Sequence, residues 1–261
     1  MARVLITGST AGLGRAAARH LLDGGHEVVL HARNSGRAGS VDDLARRATG
    51  VVVGDLASAD ETRGVADQVN AIGEIDAVIH NAAIYVDLRR VASPEGHART
   101  LAVNVLAPYM LTAWINRPSR LVYMSSGMHK RGDSSLRDID WTARRWHGVQ
   151  AYCDSKLFIT ALAFAVARRW PDVHAHAVDP GWVPTRMGGP GAPDDLELGH
   201  RTQTWLAASN HPEAIRSGGY WYHQRRRSPA PAALEESFQD ALVDELIRLT
   251  DVRLPLDRAT I

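Results

Sequence analysis

Six short runs rich in β-branched and other apolar residues, RVLIT, HEVVLHA, VVVGD, IDAVIHN, RLVYMS and VHAHAVD, recur along this chain. Between and after them lie stretches with helical spacing, at about 12–24, 41–48, 60–71, 97–115, 152–170 and 233–250. Strands that read as nearly unbroken apolar runs are covered on both faces, and parallel strands need long crossovers, usually helical. The alternation therefore restricts the chain to one α/β architecture: a doubly wound, mainly parallel sheet with helices on both faces. GGYWYH near residue 220 supplies a short last strand, and RRRSPAPAA reads as a loop before the terminal helix.

A chain of 261 residues can bury one large core, and no linker, repeat or low-complexity run divides it. Residues 1–261 are therefore expected to form a single domain. Two irregular stretches interrupt it, an insertion at about 127–150 and a loop at about 186–200, and such lengths in a compact domain are often functional. Thirty basic residues against 29 acidic leave a formal net charge of +1, which recommends neither nucleic acid nor an anionic membrane as partner. Arg225, Arg226 and Arg227 form the one compact basic cluster and read as a solvated loop. The single cysteine, Cys153, excludes an intrachain disulfide and a multi-cysteine zinc site, and reads as a packing residue. No metal site is indicated. With no signal-peptide pattern and no run of about 20 apolar residues, the expectation is a cytoplasmic protein without a membrane span.

The first strand runs into TGSTAGLG at 7–14, followed by a helix. Gly8, Gly12 and Gly14 let the chain turn sharply, so that the backbone around Ser9, Thr10 and Leu13 and the helix N-terminus can approach a pyrophosphate. An ordinary glycine-rich turn remains the alternative for this motif by itself. At the end of the second strand an NAD-binding chain commonly carries an acid for the ribose. Here the sequence is HARN, and the guanidinium of Arg33 suits the 2′-phosphate of NADP, with Arg37 as a second contact. Asp55 and Leu56, after the third strand, are placed to meet the adenine, although Asp55 can also be read as a capping residue.

Tyr152 and Lys156, in YCDSK, stand four apart and share one face of a helix. An ammonium about 5 Å from a phenol, at an effective dielectric of about 20, favours the phenolate by roughly 3 kcal/mol. That lowers the Tyr152 pKa toward the range useful to a general acid or base.

In chain order, TGSTAGLG, Asp55–Leu56, the NAA at 81–83, Asn104, the pair Ser125–Ser126, Tyr152 with Lys156, and PGWVPT at 180–185 resemble the short-chain dehydrogenase/reductase family over nearly the whole chain. HAR and the long segment before Tyr152 resemble its NADP-preferring branch, which includes retinol-dehydrogenase-like and protochlorophyllide-reductase-like members. The resemblance implies a Rossmann-type sheet and an NADP(H)-dependent oxidoreductase interconverting a small carbonyl compound and an alcohol. It implies Tyr152 as the acid or base, Lys156 as the residue that lowers its pKa and binds the nicotinamide ribose, and Ser126 as the group that orients the substrate oxygen. Asn104 supports a proton relay with Lys156. Asn81 and Ala82 line the cofactor groove, continued by Pro180 and Gly181, and Val183 and Thr185 meet the carboxamide.

The sequence departs from the family where the usual NNAG is HNAA, with His80 and Ala83, and where Ser126 and Tyr152 stand 26 residues apart. His80 reads as structural. Trp141, Trp146, His147, Trp182 and the segment from Met187 surround the expected substrate side, as an apolar wall or as packing of the insertion. His129, His147 and His223 read as surface or core residues. An insertion directly before the Tyr152 helix obstructs a surface through which family members often pair, so a monomer is expected. Two other readings keep the fold: a nucleotide-sensing or scaffold protein without chemistry, and an NAD(P)-dependent epimerase or dehydratase.

Overall fold

The structure, a computed structural model, describes residues 1–39 and 42–255. All six expected strands are present: β1 (Arg3–Ile6), β2 (Glu27–Ala32), β3 (Gly50–Val53), β4 (Ala77–His80), β5 (Arg120–Met124) and β6 (His174–Asp179). β7 (Gly219–Tyr222) is the short seventh strand. These seven run parallel in the order β3-β2-β1-β4-β5-β6-β7. An eighth strand, β8 (Arg225–Arg227), pairs antiparallel with β7. The arginine triplet is thus an exposed edge strand rather than the expected loop. Three charges in a row let it close the sheet without templating another chain.

Helices fill the crossovers: α1 (Gly12–Asp23), two single turns α2 (Ser35–Ala38) and α3 (Asp42–Ala45), α4 (Ala59–Ile72), and the turn α5 (Arg99–Leu101). The expected helix at 41–48 shortens to α3, its first residue lying outside the described ones. A π-helical turn at Ala102–Leu106 joins α5 to α6 (Ala107–Trp114). The long α7 (Gly148–Arg169) follows, then α8 (Leu196–Ala208) and α9 (Glu236–Thr250). α8 replaces the last third of the loop expected at 186–200. Asp195 caps it, accepting from the amides of Glu197 and Leu198.

Side chains alternate across the strands, so Val4 and Ile6 of β1 face α1 and α8 with Leu21 and Leu206, whereas Leu5 faces the opposite layer with Val65, Leu162 and Leu242. α7 is the centre of that second layer. By length and composition it could cross a membrane, but most of it is buried inside the protein, as in a core helix. Its N-terminus begins four residues earlier than expected because His147 caps it, Nδ1 accepting from the Gln150 amide. The insertion before it is fastened down. Asp154 of α7 takes the Asp133 amide and the Arg144 guanidinium, whose carbon lies 3.5 Å from the centre of the Trp141 ring. Trp146 Nε1 donates to the Asp87 carbonyl. Trp141 and Trp146 therefore pack the insertion onto the body.

His80 and His176 are buried neutral in the sheet. His80 stacks on Tyr123 with ring centroids 4.8 Å apart, and burial lowers its pKa to about 3. His176 bonds the Ala214 carbonyl through Nε2, and burial lowers it to about 4. Both folded-state values lie below 6.5, so the unfolded chain binds protons first as pH falls. Unfolding free energy should therefore drop by about 2 kcal/mol per histidine between pH 6.5 and pH 5. Urea unfolding at the two pH values measures this; His176→Gln should remove one share of the difference, and an unchanged pH dependence in that variant would refute the assignment.

Candidate active site

The carboxyl ends of β1, β4, β5 and β6 converge where the strand order reverses, and the site is built from the loops that leave them. Gly8 leaves β1 at φ +65° and Gly12 enters α1 at φ +53°, conformations that a side chain would strain. A Cβ on Gly8 would stand 2.9 Å from the Cα of Ala82, and one on Gly14 would stand 2.5 Å from both Asn81 Nδ2 and the Gly8 carbonyl. The turn is thus pressed onto the end of β4, where Asn81 Nδ2 donates to the Thr7 carbonyl and the Ala82 amide donates to Thr7 Oγ1. Ala11 caps α1 without a side-chain bond and no acid lies in the first turn. Such a helix start suits a pyrophosphate.

His31 is the residue here that sequence reading passed over. Its Nδ1 accepts from the Gly8 amide at 2.9 Å, so its Nε2 carries the proton, 2.9 Å from the Gly54 carbonyl. Burial holds its pKa down, keeping the ring neutral with one donor and one acceptor. Ser9 binds the same strand, its Oγ accepting from the His31 amide. The one sequence signal was a histidine inside an otherwise apolar strand. Arg33, at the tip of β2, is exposed and has no ion-pair partner among the described residues. Asp55 Oδ1 accepts from the Ala57 amide, as a turn residue does, and Leu56 is buried.

On the opposite wall, Gly181 lies at φ +83°, and the Trp182 amide donates to Asp194 Oδ2. Thr185 reaches back over the glycine turn, so that a Cβ on Gly12 would meet its Cγ2 at 3.3 Å. Val183 and Leu13 pack on Gly199 of α8. Pro180 and Gly181 join β6 to this wall, and Thr10 remains half-buried at the turn. These glycines, the helix start and the wall fit a dinucleotide.

At the far end, Ser126, Tyr152 and Lys156 come together. Ser125 turns inward, its Oγ 2.6 Å from Thr160 Oγ1 of α7, while the Ser126 side chain lies near enough to the Tyr152 phenol to influence its pKa. Lys156 is buried, its Nζ donating to the Met124 carbonyl at 2.8 Å and lying 5.5 Å from the centre of the Tyr152 ring. The expected depression of the tyrosine is not what the structure gives: burial pushes the Tyr152 phenol up, with the Ser126 side chain acting against it. Burial also lowers Lys156 to about 8, opposed by the Asp179 carboxylate. Desolvation of both groups outweighs the attraction assumed for a half-solvated helix face.

Asn104 sits in the π-helical turn, a local irregularity often found at functional sites. It receives the Ile84 amide on Oδ1 and donates from Nδ2 to the Ile84 carbonyl and to Ser155 Oγ at 3.0 Å. Its contacts are thus to Ser155 and the β4 loop, and no bond joins it to Lys156. Tyr85 lies edge-on to Tyr152 with centroids 4.8 Å apart, and Trp182 is exposed, its indole donating to the Gly188 carbonyl. Tyr85 supplies apolar surface beside the reacting phenol. Cys153 is buried and its thiol pKa is raised by burial, consistent with packing. Away from this site, His20, Glu197 and His200 bring possible metal-ligand atoms within 4.8 Å of one another, but Arg201 already pairs with Glu197.

The family model described as short chain dehydrogenase matches residues 2–195. The chain belongs to the short-chain dehydrogenase/reductase family. It is an enzyme family acting on carbonyl and alcohol groups. The chain is 40% identical over 261 residues to the short-chain dehydrogenase chry4 of Gibberella zeae, covering 98% of this chain and 99% of that protein. It is 33% identical to a Streptomyces protein assigned as daunorubicin C-13 ketoreductase DnrU, covering 87% of this chain and 84% of that one. Among solved structures, an uncharacterized protein from Mycobacterium Paratuberculosis superposes with a TM-score of 0.83 at 26% identity, over 98% of this chain and 96% of that one.

Replacing His31 by Phe leaves the Gly8 amide and Gly54 carbonyl without partners. Each should cost about 1–3 kcal/mol. Urea denaturation of His31→Phe should show that loss, and a midpoint equal to the parent's would show that the histidine does not hold the turn.

Proposed function

We propose that the protein is an NADP(H)-dependent reductase that converts a ketone or aldehyde to an alcohol. The observation that carries this reading is the convergence of Ser126, Tyr152 and Lys156 at the end of the groove lined by the glycine turn and Thr185. When bound, the nicotinamide supplies the hydride; the chain supplies geometry and the proton. A phenol kept protonated by burial is a donor, so Tyr152 hands its proton to the substrate oxygen while the Ser126 hydroxyl orients that oxygen. Lys156, with its pKa near 8, is largely charged at neutral pH and stabilises the phenolate left behind. Apolar surface from Tyr85 beside Tyr152 favours a ring-bearing or otherwise apolar substrate, in keeping with a relative assigned as a ketoreductase. Arg33, exposed at the tip of β2 and without an ion-pair partner among the described residues, supports NADP over NAD. A monomer is the state that the insertion favours.

Two measurements test the reading. Titration with NADPH and NADH, followed by energy transfer from tryptophan, should show tighter NADPH binding, and Arg33→Ala should weaken NADPH about 10-fold or more while sparing NADH. Equal affinities in the parent protein would refute the NADP preference. Tyr152→Phe should lower turnover of a carbonyl panel by about 100-fold or more with NADPH affinity nearly intact; retained turnover would remove Tyr152 from its role.

A further inference from the structure

Ser126 has to present its hydroxyl to the substrate oxygen, yet it lies just past the end of β5, where no strand pairing holds it. Its Oγ already accepts from the Met128 amide. What fixes its backbone is His129, three residues on in the 3-10 turn Gly127–Arg131. The Ser126 carbonyl accepts from the His129 amide at 3.0 Å and from the same residue's ring Nδ1 at 2.7 Å. The other ring nitrogen, Nε2, lies 2.9 Å from the amide of Ala230, which stands 101 positions away.

The chemistry leaves one tautomer. A carbonyl only accepts and an amide only donates, so Nδ1 carries the proton and Nε2 presents its lone pair. This is the less populated tautomer of a free neutral imidazole side chain, and it is selected here by two backbone groups. The ring is fully buried, and Tyr220 of β7 packs on it with centroids 4.7 Å apart. Tyr220 is held in turn, its hydroxyl donating to Asp179 Oδ2, while Asp179 Oδ1 accepts from the Gly181 amide. Burial keeps the imidazole neutral, with Lys130 acting in the same sense against Ser126 and Asp179.

We propose that His129 is the positioning residue for Ser126, linking the serine's carbonyl to the Ala230 amide so that the C-terminal segment holds the active-site loop. Ala230 and Tyr220 both lie beyond residue 195, where the family match ends, so this support comes from the chain's own C-terminal part. The proposal rests on the reductase reading for its consequence but not for its geometry.

The test has two arms. In the kinetic arm, with phenanthrenequinone as probe and NADPH as reductant, His129→Phe keeps the ring packed on Tyr220 but loses both bonds. A misplaced serine should lower kcat about 10- to 100-fold with KM and NADPH affinity nearly unchanged. His129→Asn, whose Nδ2 can take the place of Nδ1, should recover much of the loss. His129→Gln, which reaches only toward Ala230, should not. A Ser126→Ala/His129→Phe double variant should be no slower than Ser126→Ala alone. Full kcat in His129→Phe, additive losses in the double variant, or equal rescue by Asn and Gln would each overturn the proposal. In the second arm, nitrogen-15 NMR of the parent protein should show Nδ1 protonated and Nε2 bare. A ring protonated on Nε2 would overturn the proposal whatever the protein reduces. Failure to turn over the probe, with the tautomer as assigned, would count against the reductase reading and leave the His129 contact standing.

Discussion

An ammonium held out of water needs an acceptor, and for Lys156 the acceptor is the Met124 carbonyl, the last of β5. Without that 2.8 Å bond, a charge on α7 buried under a parallel sheet would be expelled or neutralised. With it, the helix is registered on the strand. One turn on, Thr160 meets Ser125, and one residue back, Ser155 bonds the Tyr152 carbonyl and receives Asn104. The phenol, the serine pair and the π-helical turn are therefore placed relative to one another by a few polar contacts inside an apolar layer. Buried polar networks of this kind are stabilising only when every member is satisfied. Here the demand for satisfaction doubles as the means of aligning the reacting groups.

Much of this was legible in the sequence because it is local. A parallel strand must be apolar on both faces, so β1 to β6 announce themselves as short β-branched runs. The glycine turn is legible because the backbone conformations of Gly8 and Gly12 exclude other residues cheaply. α8 was not, because the face it buries consists of Gly199, His200, Thr202, Gln203 and Thr204 as much as of Leu206 and Ala207, so no apolar period marks it. β8 was hidden by its charge: three arginines resemble a solvated loop until β7 is there to pair with them.

The misread electrostatics have the same origin. Proximity of Lys156 to Tyr152 follows from a spacing of four on a helix, but desolvation depends on what the rest of the chain places over them. Sequence spacing reports the first and is silent on the second. His31 and His129 illustrate the point from the other side. Each bridges two backbone groups: both come from elsewhere in the chain for His31, and for His129 one is local and the other distant.

The π-helical turn at Ala102–Leu106 carries a consequence for how this chain can change length. A π turn closes its hydrogen bonds one residue later than an α turn, so it takes in one extra residue without rotating the helix beyond it. Tyr109, whose hydroxyl donates to the Val252 carbonyl, keeps its buried face while Asn104 is carried round to stand opposite Ser155. Loss of one residue there can be absorbed by regular helical bonding without repacking α6, and what it sacrifices is the placing of Asn104.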